Sequence, residues 1–330
     1  MKSWNVILGV DVSKLTLDIA CAERSIYIQI ENNSKGFDVF KKWCKSHGID
    51  LKETLVVLEY TGGYEYRFLQ FCAAKSIPYC RVPGLEIKQS MGMVRGKSDK
   101  ADSFRIAEYG EDKRNRLAPS KPLDDNVLKL KGLLSFRKRL VRDNAGLKST
   151  EKERQHMYPV KQSDKIVRIC TAKIKANEKF IVQVEQEIRE LIKGNEKMLL
   201  NYRIITSIKG IGEVNGWMTI AYTENFTSFT DARAYGVYVG VIPFGHGSGT
   251  SIKGRPRVSH LANKELKSEL NQAAKAAITY DKEMHDYAER KLKNKDYRLV
   301  LNNVKFKLIL RMFSLVKRGE MYVENYNRAA

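Results

Sequence analysis

Short apolar runs and alternating segments open the chain, and they predict a group of consecutive strands. Residues 5–12, 15–22 and 25–30 are apolar throughout or alternate with a period of two, which suits three strands of a meander. An amphipathic stretch over Lys35–Ser46 then predicts a helix that ends near Gly48. The chain is therefore predicted to begin with a sheet, followed by its first helix.

Strand and helix patterns alternate over the next segment. Thr54–Glu59 reads as a strand, and the glycines of 61–63 make a turn into an apolar helix. Ile77–Val82 is a short strand, and Ser98 is expected to cap a helix that runs through Ala107. The predicted order, βββαβαβα, is that of the ribonuclease-H-like fold, in which strand ends carry metal-binding acids.

Beyond residue 120 the pattern becomes helical and densely charged. One helix is predicted over roughly Asp124–Met157, and Pro159 would break it from a second helix to give a hairpin. Apolar positions of the second helix recur in alternating steps of three and four, which is the spacing of a coiled coil. This seam consists of Val167, Cys170, Ile174, Asn177, Ile181, Val184, Ile188 and Leu191. A hairpin core within one chain and a dimerising coiled coil account for it equally well.

The last 130 residues are predicted to be mostly helical, with a glycine-rich insert. The segment Ile204–Gly212 resembles a helix–hairpin–helix, in which glycines expose backbone N–H groups to a phosphate at a helix start. Lys209, Gly210 and Gly212 are therefore candidate nucleic-acid contacts. The signal is weak by itself, because such turns between helices are common.

These changes of pattern predict a fold of class α/β plus α. An α/β domain is expected at 1–120, a coiled-coil helical region at 121–200, and a mostly helical domain at 201–330. The five cysteines are scattered without metal-binding spacing, which favours reduced thiols and a cytoplasmic location. No apolar run approaches the length of a membrane-spanning helix, so we expect no membrane partner.

Four acids stand at positions that the predicted elements can bring together. Asp11 follows the apolar run of the first strand, and Glu59 closes the strand Thr54–Glu59. Asp99 and Asp102 are three residues apart, so they share one face of the predicted helix. Converging carboxylates repel one another unless a cation lies among them, and hard oxygen ligands suit Mg²⁺, for which Mn²⁺ could substitute. The sequence therefore predicts a metal site.

The charge of the chain indicates the substrate. The formal net charge is +21, with 19 basic and 15 acidic residues in 1–120, 19 and 11 in 121–200, and 21 and 12 in 201–330. A positive field of this size attracts polyanions and speeds their encounter with the protein. A metal site in such a chain points to phosphodiester chemistry on nucleic acid.

The segment from Gly240 to Arg255 has five glycines in sixteen residues. Glycines on both sides of Ser248 would let a bulky phosphodiester approach its hydroxyl. Lys253, Arg255 and Arg257 could neutralise the phosphate and stabilise its transition state, which would make Ser248 a nucleophile. Loop composition alone favours a flexible Gly/Ser surface loop, and it does not distinguish Ser248 from Ser251.

Together these motifs resemble those of a known family. Residues 8–14 and 58–62 match the first two acidic motifs of the DEDD-type transposases of bacterial insertion sequences, which are related to the Piv inversion recombinase and are now called bridge recombinases. Residues 97–102 match the paired-aspartate motif of that family, and 243–254 resemble its serine motif. The resemblance covers nearly the whole chain. One departure is the run His260-Leu261-Ala262-Asn263, where the family more usually has a basic residue and a glycine.

The resemblance implies a RuvC-like (ribonuclease-H-like) domain, a coiled-coil helical hairpin and a mostly helical C-terminal transposase domain with a Gly-rich catalytic loop. It implies that Asp11, Glu59, Asp99 and Asp102 are Mg²⁺ ligands and that Ser248 becomes linked to DNA as a phosphoserine. It also implies a noncoding bridge RNA that pairs with target and donor DNA. The enzyme is expected to be a homo-oligomer, a dimer or a dimer of dimers, whose active site joins the acids of one subunit to the serine of another. It would be cytoplasmic in a bacterium and associated with the nucleoid when active.

Two other functions remain open at this point. A metal-dependent nuclease or junction resolvase would use the four acids to activate water and would need no serine. A catalytically inactive nucleic-acid-binding protein would be expected to have lost some of the acids, yet all four are present. Asp18 and Asp112 are nearby carboxylates without a matching motif, and they are expected to serve as neutral controls.

Overall fold

The computed structural model describes residues 4–60, 62–90, 98–122, 124–157, 164–248 and 252–324, with side chains undescribed at 246–248 and 252–255. The chain divides into two compact units, an N-terminal unit, Met1–Pro122, and a C-terminal unit, Leu123–Ala330. Among the described residues, no helix combines the length and apolar character that crossing a membrane requires.

A five-stranded sheet forms the centre of the N-terminal unit, in the order β3-β2-β1-β4-β5. Its strands are β1 Val6–Val12, β2 Thr16–Cys21, β3 Ile26–Glu31, β4 Thr54–Glu59 and β5 Tyr79–Val82. The first three strands pair antiparallel as a meander, whereas β4 pairs parallel with both β1 and β5. The predicted mixed α/β architecture is confirmed, and it is compatible with a RuvC-like fold.

Four helices accompany this sheet in the described part of the unit, one more than the sequence predicted. They are α1 Ser34–Ser46, α2 Tyr66–Ala74, α3 Gly84–Ser90 and α4 Asp99–Asp112. The predicted cap of α4 is confirmed, because Ser98 Oγ accepts a hydrogen bond from the backbone N–H of Ala101 at 3.2 Å. The helix runs five residues beyond the predicted end at Ala107, and the short helix α3 had not been predicted.

The sheet is buried on both faces, as the near-continuous apolar runs of its central strands require. Ile7 and Leu8, which are successive residues of β1, are both fully buried. Aromatic rings of α1 and α2 pack together, with 5.6 Å between the ring centroids of Phe40 and Phe68. Another cluster joins Ile7 of β1 to Ile106 of α4, which fixes this helix over the sheet.

A long helical hairpin opens the C-terminal unit, with α5 over Asp125–Met157 and α6 over Lys165–Lys193. The seam of α6 packs against α5 within the same chain, since Asn177 Nδ2 donates a hydrogen bond to Asn144 Oδ1 at 2.8 Å. Its buried residues are Val167, Cys170, Ile174, Asn177, Val184, Ile188 and Ile192. At its end Ile192 is buried instead of the predicted Leu191. Pro159 lies outside the described residues.

Six further helices and a hairpin follow among the described residues of the C-terminal unit. They are α7 Glu196–Thr206, α8 Glu213–Tyr222, α9 Ala232–Val239, the strands β6 Phe244–Ser248 and β7 Ile252–Arg257, α10 Lys264–Tyr280, α11 Lys282–Leu292 and α12 Tyr297–Arg318. Ile188 of the helical hairpin and Trp217 of α8 belong to one apolar core. The predicted division of 121–330 into two domains therefore stays a prediction.

Candidate metal centre and serine hairpin

Helix α4 lies directly on strands β1 and β4 because glycines remove the side chains that would separate them. A Cβ atom at Gly9 would lie 2.2 Å from the backbone nitrogen of Ala107 and 2.3 Å from the carbonyl oxygen of Ser103. A Cβ atom at Gly110 would lie 2.6 Å from Ile7 Cγ2 and 2.9 Å from Val57 Cγ2. Only glycine permits such a close approach of helix and sheet.

The same contacts define the face of the sheet on which the first two acids lie. Side chains of a strand alternate between the two faces, so Asp11 shares the face of Gly9 and Glu59 shares the face of Val57. The parallel register pairs Val10 with Leu58, which makes Asp11 and Glu59 the next residues of neighbouring strands. Both acids are therefore directed to the α4 face at the carboxyl ends of β1 and β4.

The first turn of α4 supplies the other two acids. Asp99 and Asp102 follow the Ser98 cap, and the charges of both act on Asp11. The pKa of Asp11 is raised from 3.8 to about 6, first by burial and then by the charges of Asp99, Asp102 and Asp18. The structure thus brings the paired aspartates near enough for their charges to act on Asp11, where they add to burial in raising its pKa.

Glu59 is held by a different neighbour. A Cβ atom at Gly84 would lie 1.8 Å from Glu59 Oε1, so the carboxylate lies against the first residue of α3. Asp102 in turn accepts a hydrogen bond from Arg105 Nη1 at 2.6 Å. Within the part of the chain that the structure describes, no three acids, histidines or cysteines are gathered closely enough to hold a metal ion as they stand.

The donor set nevertheless fits a hard divalent cation. Asp11, Glu59, Asp99 and Asp102 offer only carboxylate oxygens, which are the ligands that Mg²⁺ prefers. A cation among the aspartates would relieve the repulsion that, after burial, raises the pKa of Asp11. Their role as metal ligands stays a prediction, supported by this convergence.

Asp18 is a member of the acidic cluster that sequence reasoning missed. It pairs with Asp11 across β1 and β2 and is only 2% exposed. Its Oδ1 accepts hydrogen bonds from the Tyr27 hydroxyl at 2.5 Å and from Gln29 Nε2 at 3.1 Å. The expectation that Asp18 is a neutral control is wrong, because its buried charge acts on Asp11. Asp112, at the far end of α4, is exposed and remains a suitable control.

A signal for Asp18 was present in the sequence. It is the acid within the otherwise apolar stretch Leu17–Cys21, and a carboxylate inside a buried strand needs partners. The partners are Tyr27 and Gln29 on β3, two residues apart and therefore on one face. Burial and then the hydrogen bond to Asp18 raise the pKa of Tyr27 to about 12, so the phenol remains a donor at neutral pH.

The glycine-rich segment forms a β-hairpin, where the sequence had suggested a loop. Strands β6 and β7 pair antiparallel, with Ser248 opposite Ile252 and an irregularity between Phe244 and His246. Ser248 is the last residue of β6, and 249–251 lie outside the described residues. The side chains of Ser248, Lys253 and Arg255 are also outside the description, whereas Arg257 is exposed.

The predicted helix–hairpin–helix corresponds to α7, α8 and the turn between them. Gly210 has φ of +97°, and a Cβ atom there would lie 2.5 Å from the carbonyl oxygen of Ala273 in α10. Packing on α10 thus accounts for this glycine. Lys209 Nζ forms an ion pair with Glu324 at 2.6 Å, and Gly212 caps α8 without a side-chain hydrogen bond. Phosphate contacts at Lys209, Gly210 and Gly212 stay predictions.

Comparison with known proteins covers both units. A family profile of DEDD-type IS110 transposases, described as a transposase, matches residues 8–154. A second profile, described as the transposase IS116/IS110/IS902 family, matches residues 202–289. The first match contains all four acids, and the second contains Ser248.

Two curated relatives are similar over 80% of this chain and 80% of their own length. They are the pilin gene-inverting proteins of Moraxella lacunata, 26% identical over 274 residues, and Moraxella bovis, 25% identical over 272 residues. The two profiles and these relatives agree in pointing to enzymes that act on DNA. The chain belongs to the IS110 family of transposases.

Proposed function

We propose that this chain is an RNA-guided DNA recombinase of an insertion sequence, which cleaves and exchanges strands through a phosphoserine link at Ser248. The observation that carries the proposal is the convergence of Asp99 and Asp102 on Asp11 at the end of β1. A polyanionic substrate is supported by the net charge of +21. The name of the Moraxella relatives, pilin gene-inverting protein, supports recombination over simple cleavage.

In this proposal Asp11, Glu59, Asp99 and Asp102 hold Mg²⁺. The cation would act as a Lewis acid that offsets charge on the attacking and leaving oxygens. The protein supplies the placement of these ligands. Gly9 lets α4 pack against β1 at Ser103 and Ala107, just beyond the turn that carries the aspartates, and Gly84 leaves room for the Glu59 carboxylate. The Arg105 guanidinium holds Asp102 in a defined position.

Ser248 would act as the nucleophile. A bond forms between its Oγ and the phosphorus of the DNA backbone while the bond from phosphorus to a deoxyribose oxygen breaks. The serine proton is lost to solvent or a base, and the leaving oxygen gains a proton to become a hydroxyl. Lys253, Arg255 and Arg257 lie on β7 and would offset the phosphate charge. Because a phosphodiester is kept throughout, the reverse attack can rejoin strands without an energy source.

Target and donor DNA would be selected by pairing with a bridge RNA, a proposal supported by the sequence resemblance in all four motifs. The positive charge of 121–330 supplies a surface for both nucleic acids. The acids and Ser248 belong to different units of the chain. A homo-oligomer in which one subunit supplies the acids and another supplies Ser248 is consistent with that division.

Trapping of a covalent protein–DNA adduct tests the proposal. Ser248→Ala should retain DNA and RNA binding and form no adduct, whereas the matched variant Ser251→Ala should still form it. Sequencing of RNA that co-purifies with the protein tests the guide. An adduct that maps by mass spectrometry to another residue would refute the assignment of Ser248. Metal-dependent cleavage without any adduct would instead favour a nuclease that activates water.

A further inference from the structure

Lys305 of α12 is a buried lysine whose charge is not balanced. It is 5% exposed, and no hydrogen bond or ion pair to it is found within the described residues. Its stem is buried, whereas its Nζ is not among the fully buried polar atoms of the described residues, so an ion from solvent can reach the ammonium group. A binding function for the ammonium group would account for this arrangement.

A second lysine lies close to it. Lys267 of α10 is half-buried, and its charge acts on Lys305. Burial and then this charge lower the pKa of Lys305 to about 8, and burial lowers the pKa of Lys267. Two nearby acids have other partners: Glu265 of α10 pairs with Lys138 at 2.5 Å, and Asp281, which follows α10, pairs with Arg311 at 2.7 Å.

The two lysines lie at the base of the hairpin β6–β7. A Cβ atom at Gly240, where α9 ends with φ of +75°, would lie 3.9 Å from Lys267 Nζ. The next residue, Val241, accepts a hydrogen bond through its carbonyl from Asn302 Nδ2 at 2.6 Å. Asn302 and Lys305 are one turn apart on α12, so they share a face. Strand β6 begins three residues after Val241.

We propose that Lys267 and Lys305 together bind one backbone phosphate of the DNA strand that crosses the hairpin. This inference rests on the proposed function, because DNA is chosen over RNA on the ground that the hairpin carries Ser248. The charge of Lys267 acts on Lys305, and no acid contributes to the pKa shift of either lysine, so the pair offers the charge that a phosphate needs. A bound phosphate would balance the repulsion between the two lysines.

Charge-removing variants with matched controls test this site. Lys305→Met and Lys267→Met are compared with Lys275→Met on α10 and Lys317→Met on α12, both of which remove an exposed lysine. Binding of labelled single-stranded DNA of random sequence is measured by fluorescence anisotropy at fixed salt. Each site variant should weaken binding about tenfold, well beyond the controls. The double variant should lose little more, because both side chains act on one phosphate.

A titration with inorganic phosphate tests this site independently of the proposed function. Inorganic phosphate, titrated against chloride at constant ionic strength, should raise the melting temperature of the wild type and of both controls more than that of Lys305→Met. This result does not depend on Ser248 or on strand exchange. Lys305→Met should fold at least as well as the wild type, since methionine fills the space without a charge.

Three results would overturn the inference. Losses equal to those of the control variants would show a general charge effect. Losses that multiply in the double variant would show two independent contacts. The same assay with labelled single-stranded RNA would assign the site to RNA if the lysine variants lost RNA binding and kept DNA binding. Failure of Ser248→Ala to abolish the adduct, with the lysine results intact, would overturn the proposed nucleophile and leave the phosphate site standing.

Discussion

Replacement of Asp11 by asparagine should stabilise the metal-free protein at neutral pH. The pKa of Asp11 is raised from 3.8 to about 6 in the folded protein, so the ionised carboxylate is less favourable there than in the unfolded chain. Above about pH 6 this cost is fully present. As the pH falls from about 6 towards 4, the folded state takes up a proton and the cost disappears. The advantage of the asparagine variant should therefore shrink at acidic pH.

The size of the effect follows from the pKa. At about 1.4 kcal/mol per pKa unit, the change from 3.8 to about 6 corresponds to roughly 3 kcal/mol as an upper bound. Asp11 is half-buried, and solvent screens part of the repulsion. We expect Asp11→Asn to raise the free energy of unfolding by about 1–2 kcal/mol at pH 7.5.

Urea denaturation in the presence of EDTA measures this change. The chain has three tryptophans, and Trp217 alone lies in the C-terminal unit. In a Trp217→Phe background the emission of Trp4 and Trp43 therefore reports on the N-terminal unit. Asp112→Asn, which removes an exposed carboxylate from the other end of α4, is the control. With added Mg²⁺ the wild type should become more stable than Asp11→Asn, because Mg²⁺ stabilises only the protein that binds it.

A variant less stable than the wild type in EDTA at both about pH 7.5 and about pH 5 would refute this reasoning. So would an advantage that grows as the pH falls. Either outcome would mean that Asp11 is stabilised by contacts that outweigh its burial and the charges of its neighbours.

Two further predictions follow from packing and from the division of the chain. Gly9→Ala should lower the free energy of unfolding by about 3 kcal/mol or more, since the new methyl group meets the backbone of α4. The control Gly132→Ala adds a methyl group in open space and should raise the free energy of unfolding by up to about 1 kcal/mol. Equal changes for the two variants in urea denaturation would contradict the close packing at Gly9. Mixing Asp11→Asn with Ser248→Ala should restore strand exchange in a recombination assay, and no rescue where mixed oligomers form would argue for a site built within one chain.

The sequence by itself determined the local elements of the N-terminal unit, apart from α3, and the positions of four of its acids. Continuous apolar runs and alternating segments located β1 to β4, and a serine followed by a helical pattern located the start of α4. These features depend on residues a few positions apart, so they can be recognised without knowledge of the fold. The same local logic placed Asp11 and Glu59 at strand ends and Asp99 and Asp102 on one helical turn.

Only the tertiary structure decided which of these groups meet. Gly9 and Ala107 are far apart in sequence, yet their contact brings the first turn of α4 to Asp11. The antiparallel register of β1 and β2 added Asp18 to the acids, and the pairing of Asn144 with Asn177 placed the helical seam within one chain. Apolar periodicity indicates that a face is buried but does not identify the segment that packs on it. The packing partner depends on shape and register between segments that are distant in sequence.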